Sequence, residues 1–218
     1  MAIDKQHYRR EAERFSLDRI LYYREILDSH IINHPEFRDS LVPVVAPGKI
    51  HPLITAMSDA ALAAGTGPMS AVAGAVAEFI CRDLLEEFRA DEVVVENGGD
   101  IFMKLTAPAS VAVHAGSSPL SEKIALQVTA EDTPLALCCS SGTVGHSLSF
   151  GMADACMIAC RDGALADALA TAFCNEVKNG DDVHRMTEKA LERPEILSAV
   201  IIAGDKVGLG GNIEFKIV

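Results

Sequence analysis

Residues 93–105 run Val93-Val94-Val95, a turn of Asn97-Gly98-Gly99-Asp100, and then Ile101 to Leu105. Two short β-forming runs joined by residues that accept positive φ commit this part of the chain to a hairpin, and so to antiparallel pairing. Further strand-like runs lie at 111–114, 124–128, 135–139, 155–160, 199–203 and 213–217. Helical spacing appears between them. Residues 16–33 place Leu17, Ile20, Leu21, Leu27 and Ile31 on one face, which predicts that this face is buried. A second helix over 53–64 is stopped by Gly65, and Pro68 opens a third that runs to about 88. Another spans 164 to about 178, with a short one at 183–191. Strands joined by hairpins, without a regular βαβ rhythm, predict an α+β fold whose sheet is largely antiparallel.

Composition narrows the packing. Trp is absent and aromatics are 5% of the 218 residues, so the core is built from Ala, Val, Leu and Ile. The third helix carries Ala71, Ala73, Gly74, Ala75 and Ala77, small residues on several sides, which predicts close approach by neighbours. A single domain over 1–218 is the simplest organisation. An internal duplication, with halves of about 16–115 and 116–218, is the alternative.

A formal net charge of −12 argues against nucleic acid and anionic membrane surfaces as partners. It also makes any phosphate ligand depend on backbone N–H groups or a bridging metal. The polar opening MAIDKQHYRREAERF has no apolar leader core, and no segment is an uninterrupted apolar span of membrane length, so a cytoplasmic location is expected. Six cysteines without a CxxC pair predict buried free thiols rather than a zinc framework.

The richest stretch for chemistry is 138–175, where a Ser/Gly-rich loop is followed by an apolar run and a helix carrying Asp167 and Thr171 one turn apart. Spaced i, i+4, their oxygens share a face and suit a hard cation such as Mg²⁺, with the carbonyl of Gly163 as a further ligand. The structural alternative is that Asp167 complements the helix dipole and Thr171 bonds back to the preceding turn. Asn97, Gly98, Gly99 and Asp100 form a second candidate, two glycines permitting close backbone approach to a ligand; a plain hairpin turn is the alternative. Ser140, Ser141 and Gly142 open a third, in which His146 is the candidate acid or base. Gly67 and Met69, at the start of the third helix, belong to a fourth, suited to an anion at a helix N-terminus; the lysine of a P-loop is missing there.

Together these segments resemble the ApbE family, flavin transferases that move FMN from FAD onto a Thr or Ser of a target protein. Ala166-Asp167-Ala168-Leu169-Ala170-Thr171-Ala172 is similar to that family's metal motif, Asn97-Gly98-Gly99-Asp100-Ile101 to its Gly-Gly-Asp turn, and Ser140-Ser141-Gly142 to its Ser-Gly strand end. Gly67-Pro68-Met69 and the run 142–151 look like signatures of a short branch of ApbE-like proteins of unassigned activity. The resemblance covers about residue 26 to the C-terminus and implies a T-fold-like architecture, Mg²⁺ held by Asp167 and Thr171, and FAD as substrate or ligand. It further implies a protein acceptor or, from the short branch, a partner in anaerobic sulfur and homocysteine assimilation, with a homodimer as a further expectation. A non-catalytic flavin- or metabolite-binding accessory protein is the alternative. The chain departs from the classical members in lacking an export signal and an Asp-Pro-x-Thr-Gly element, with His146 alone left in that region. A strand pair expected before residue 16 is replaced by a direct passage into a helix.

Overall fold

Three strands are apolar at nearly every position because both faces of their sheet are covered. In the computed structural model, which describes residues 1–46, 48, 50–144 and 149–218, these are β6 (Leu135–Ser140), β7 (Ala155–Cys160) and β8 (Ser198–Ala203). Ala136, Cys138, Cys156, Ile158 and Ile201 face one core, under the helices. Leu135, Leu137, Met157, Val200 and Ile202 face a second, under a smaller sheet. Such strands lose the polar–apolar alternation of a half-exposed strand.

The remaining elements, in chain order, are β1 (Ala2–Ile3), α1 (Arg10–Asn33), α2 (Glu36–Asp39), α3 (Pro52–Ala64), α4 (Val72–Phe88), β2 (Val93–Asn97), β3 (Asp100–Lys104), β4 (Ala109–Ala112) and β5 (Ile124–Val128). After β7 come α5 (Gly163–Glu176) and α6 (Asp182–Leu191), and after β8, β9 (Lys206–Gly211) and β10 (Glu214–Ile217). The large sheet has seven strands in the order β1-β2-β3-β6-β7-β8-β9, and the small one has three, β10-β5-β4. Every pairing is antiparallel. The helices, the large sheet and the small sheet stack as three layers, which is the expected mixture of helix and antiparallel sheet.

The β2–β3 hairpin has Asn97 opposite Asp100, with Gly98 at φ 67° and Gly99 at φ 104°. Positive φ at both central positions is what a two-residue hairpin turn demands. The third helix divides: Pro68–Ala71 is a 3-10 turn, and α4 begins at Val72. Two strands lay outside the sequence reading. β1 pairs Ala2 with Val94 at one edge of the large sheet. β9, a Gly-rich Lys206-Val-Gly-Leu-Gly-Gly run, has weak strand propensity; it pairs with β8, and the Cα of Gly208 lies so close to Thr187 of α6 that a side chain would collide with it.

One expectation is corrected. Leu17, Ile20 and Leu21 of α1 are 61%, 45% and 59% exposed, while Ala12, Ser16, Tyr23 and Leu27 are buried. Polar anchoring sets this rotation: Asp83 on α4 accepts from both Arg19 Nε (2.6 Å) and the Tyr23 hydroxyl (2.5 Å). Among the described residues no single helix is long and apolar enough to cross a membrane; Pro52–Ala64 and Pro68–Phe88 pass that test only together, across a 106° bend.

Helices α4 and α5 cross at Gly74 and Gly163. A Cβ on Gly74 would run into the Gly163 carbonyl, and one on Gly163 into that of Gly74. Gly74→Ala is therefore expected to destabilise the protein by about 3 kcal/mol through overpacking. Gly98→Ala, with open space around it, should cost about 1 kcal/mol through positive φ alone. Denaturant unfolding of both variants checks the ranking; equal costs would show that the crossing yields.

Candidate functional site

The α4–α5 crossing is also where the chain spends its buried charge. Asp167 Oδ2 accepts the Gly74 N–H at 2.9 Å, and Glu78 Oε2 accepts the Gly163 N–H at 2.6 Å. Each helix thus lends a carboxylate to the first-turn amides of the other, groups that have no partner within their own helix. Asp162 adds the ordinary N-cap of α5, accepting from Leu165 N at 2.8 Å.

Asp100 arrives from the sheet. The β3–β6 ladder ends at Ile101 opposite Leu137, and Asp100 Oδ1 takes the Cys139 amide at 2.9 Å. Asp100 and Asp167 are 6% and 7% exposed, and both open onto one cavity of about 320 Å³. Burial raises the Asp100 carboxyl to about 6. Burial first, and then the charge of Asp100, pushes Asp167 well above the usual carboxylate range. Beside them the Ser140 and Thr171 hydroxyls meet at 3.0 Å. Thr171 therefore turns to the sheet, and Asp167 to α4, instead of serving their own helix.

Gly67, Met69, Gly98, Asp100 and Ser140 line this cavity with Asp167 and Thr171, so four segments distant in sequence converge there. Five predicted residues do not line it. Asn97 donates to the Ala73 carbonyl (3.2 Å), which ties the hairpin to α4, and the Gly99 amide bonds Glu96 Oε1 (2.8 Å) within the hairpin. Ser141 Oγ accepts the amides of Thr143 and Val144, and the Gly142 amide bonds the Ala153 carbonyl at 2.8 Å, which builds the loop after β6. Gly163 sits in the helix crossing, its carbonyl against Gly74 and within 3.6 Å of Cys138 Sγ. His146 lies outside the described residues.

No sequence signal marked Arg38, Ser40 or Leu41, which also line the cavity, while Asn175 closes the 138–175 stretch. Arg38 is the one cationic side chain lining the cavity among the described residues. The donors are hydroxyls and carboxylates, a set suited to a hard cation that keeps water or phosphate ligands. Among the described residues no three His, Cys, Asp or Glu side chains gather as a metal cluster. All six cysteines are free. Burial pushes the Cys139 thiol up to about 12, so it is neutral and a poor nucleophile.

The family model described as "AbpE bacteria" matches residues 1–205. The chain belongs to this ApbE-like family. The match begins well before residue 26, so α1 and β1 fall within it. Curated relatives include the UPF0280 protein MJ1526 of Methanocaldococcus jannaschii, 34% identical over 98% of this chain and 86% of that one. The UPF0280 protein of Methanothrix thermoacetophila is 38% identical over 89% of this chain and 81% of its own. Solved structures similar to the chain include the Pseudomonas stutzeri flavinyl transferase ApbE in its apo form, 13% identical over 87% of this chain and 71% of that one, TM-score 0.46. Flavin Transferase ApbE from Vibrio cholerae is 13% identical over 85% and 73%, TM-score 0.46. A variant of the Vibrio protein is matched over 47% of its length.

The raised carboxyls carry a pH dependence. A carboxyl whose folded pKa exceeds its unfolded value stabilises the fold below the unfolded value, and that stability is lost as pH rises through the folded one. For Asp100 the window runs from 3.8 to about 6. Asp100→Asn, which keeps an oxygen for the Cys139 amide, should therefore gain about 2 kcal/mol relative to the native chain between pH 4 and pH 7.5. Urea unfolding of both proteins across that range checks it; a constant difference would show that Asp100 titrates normally.

Proposed function

We propose that the cavity binds Mg²⁺ together with the diphosphate of FAD or a related nucleotide, and that the chain is a flavin transferase-like enzyme. The observation that carries this reading is the pair of buried carboxylates, Asp100 and Asp167, opening onto one cavity beside the Ser140 and Thr171 hydroxyls. Two carboxylates forced together in a low-dielectric site repel, and a divalent cation is the partner that relieves both. Asp167 and Thr171 would hold the ion, with Ser140 beside Thr171 and Asp100 lining the same cavity. When bound, it would neutralise charge developing on the diphosphate. Membership of the ApbE-like family supports the same ligand. The carbonyl of Gly163, engaged in the helix crossing, is left out of this ligand set.

A second reading is an accessory protein that binds flavin or another metabolite without turnover, working with a partner in sulfur and homocysteine assimilation. It is favoured by one observation: among the described residues, no His or Lys lines the cavity to carry a proton. Incubation with FAD, Mg²⁺ and a Ser- or Thr-bearing acceptor peptide, followed by intact mass, separates the two readings. Covalent FMN on the peptide supports transfer, and retained FAD without adduct supports binding alone.

Calorimetric titration tests the cavity itself. Asp167→Ala is expected to weaken Mg²⁺ binding by at least about tenfold, a loss of roughly 1.4 kcal/mol, and FAD binding in Mg²⁺ with it. Because the ion needs ionised carboxylates and burial raises both Asp167 and Asp100, native affinity should fall as pH is lowered. Unchanged affinities in the variant would remove the metal assignment.

A further inference from the structure

Charge balance in the cavity leaves one position open. Two carboxylates and one divalent cation sum to zero, so a diphosphate carrying two or more negative charges needs another positive group. Among the described lining residues that group is Arg38. Its placement is built by its neighbours. Phe37, fully buried, anchors α2 and packs edge-on against His30 at 4.7 Å. On the other side, the Ser40 carbonyl sits against the Cα of Gly67, where any Cβ would collide with it. Arg38 is thus held between two fixed points, next to the turn that opens toward α4.

The guanidinium is now engaged by an adjacent carboxylate. Arg38 Nε donates to Asp39 Oδ1 at 2.7 Å and Nη2 donates to Oδ2 at 3.1 Å. Both side chains are about 60% exposed, and an exposed pair of this kind is weakly held. Its two parallel N–H donors match a phosphate as well as a carboxylate, and a phosphate beside a cation in a cavity is the less screened partner.

We propose that Arg38 recognises the diphosphate of the ligand, exchanging Asp39 for phosphate oxygens on binding, and so selects flavin dinucleotide over unphosphorylated flavin. This rests on the cavity binding a metal–nucleotide as set out above.

The test is calorimetric titration of the full chain with Mg²⁺ alone, with FAD in Mg²⁺, with inorganic pyrophosphate in Mg²⁺, and with riboflavin. Arg38→Ala is expected to weaken FAD and pyrophosphate binding ten- to a hundredfold, to leave Mg²⁺ affinity and melting temperature unchanged, and to reduce the preference for FAD over riboflavin by the same factor. Arg38→Lys should restore part of the loss, since a point charge cannot bind in a fork. Asp39→Asn, which removes the competing carboxylate, should tighten FAD binding severalfold. Native FAD and pyrophosphate affinity in Arg38→Ala, while Asp167→Ala loses both, would overturn the role of Arg38 and leave the metal site standing. A loss of Mg²⁺ affinity or melting temperature in Arg38→Ala would make its role structural and overturn the proposal too. If the native protein binds neither FAD nor pyrophosphate, the metal–nucleotide reading falls and this one falls with it.

Discussion

The contact on which the rest of the structure depends is the crossing of α4 and α5 at Gly74 and Gly163. Each glycine lets the other helix's backbone approach to a distance that any side chain would forbid. At that distance the amide of Gly74 reaches Asp167, and the amide of Gly163 reaches Glu78. The two carboxylates then do what a capping side chain does, but between helices instead of within one. Backbone donors at two helix starts are satisfied, and two acidic side chains gain partners that make their burial tolerable.

The candidate site follows from that crossing. With α5 fixed over β6 and β7 and α4 over β2 and β3, Asp167 comes to the same cavity as Asp100, which is tied to the Cys139 amide at the seam of β3 and β6. The sheet brings the oxygens of Asp100 and Ser140 to this cavity, and α5 brings those of Asp167 and Thr171. Burial raises both carboxyls, and Arg38, the cationic side chain at the cavity among the described residues, is engaged with Asp39. The proposed cation is the partner that such a pair of buried carboxyls would take.

Much of the architecture is legible in the sequence. The hairpin at Asn97 to Asp100, the stop at Gly65 and the two-sided apolar runs of β6, β7 and β8 each carry a local signal strong enough to read. What local pattern misread was rotation and pairing. The stripe of Leu17, Ile20 and Leu21 reads as a buried face, yet Asp83, sixty or more residues away, draws Arg19 and Tyr23 inward instead. β9 was missed because its glycines, unfavourable in a strand, are needed where α6 presses on the sheet.

The same division holds for the site. Sequence by itself determined which residue types are present and which segments are special: the Asp167–Thr171 spacing on one helical face, the paired glycines of the hairpin, the small-residue helix that invites close packing. Only the tertiary structure decided which of them meet. Asn97, Gly99, Ser141, Gly142 and Gly163 turned out to hold turns, loops and a helix crossing, whereas Arg38, from a four-residue helix with no motif, was brought to the cavity beside Asp100 and Asp167. The physical reason is range. Turn chemistry and helical periodicity act over a few residues, while the burial that raises two carboxyls and the glycine contact that aligns them arise from segments about ninety residues apart.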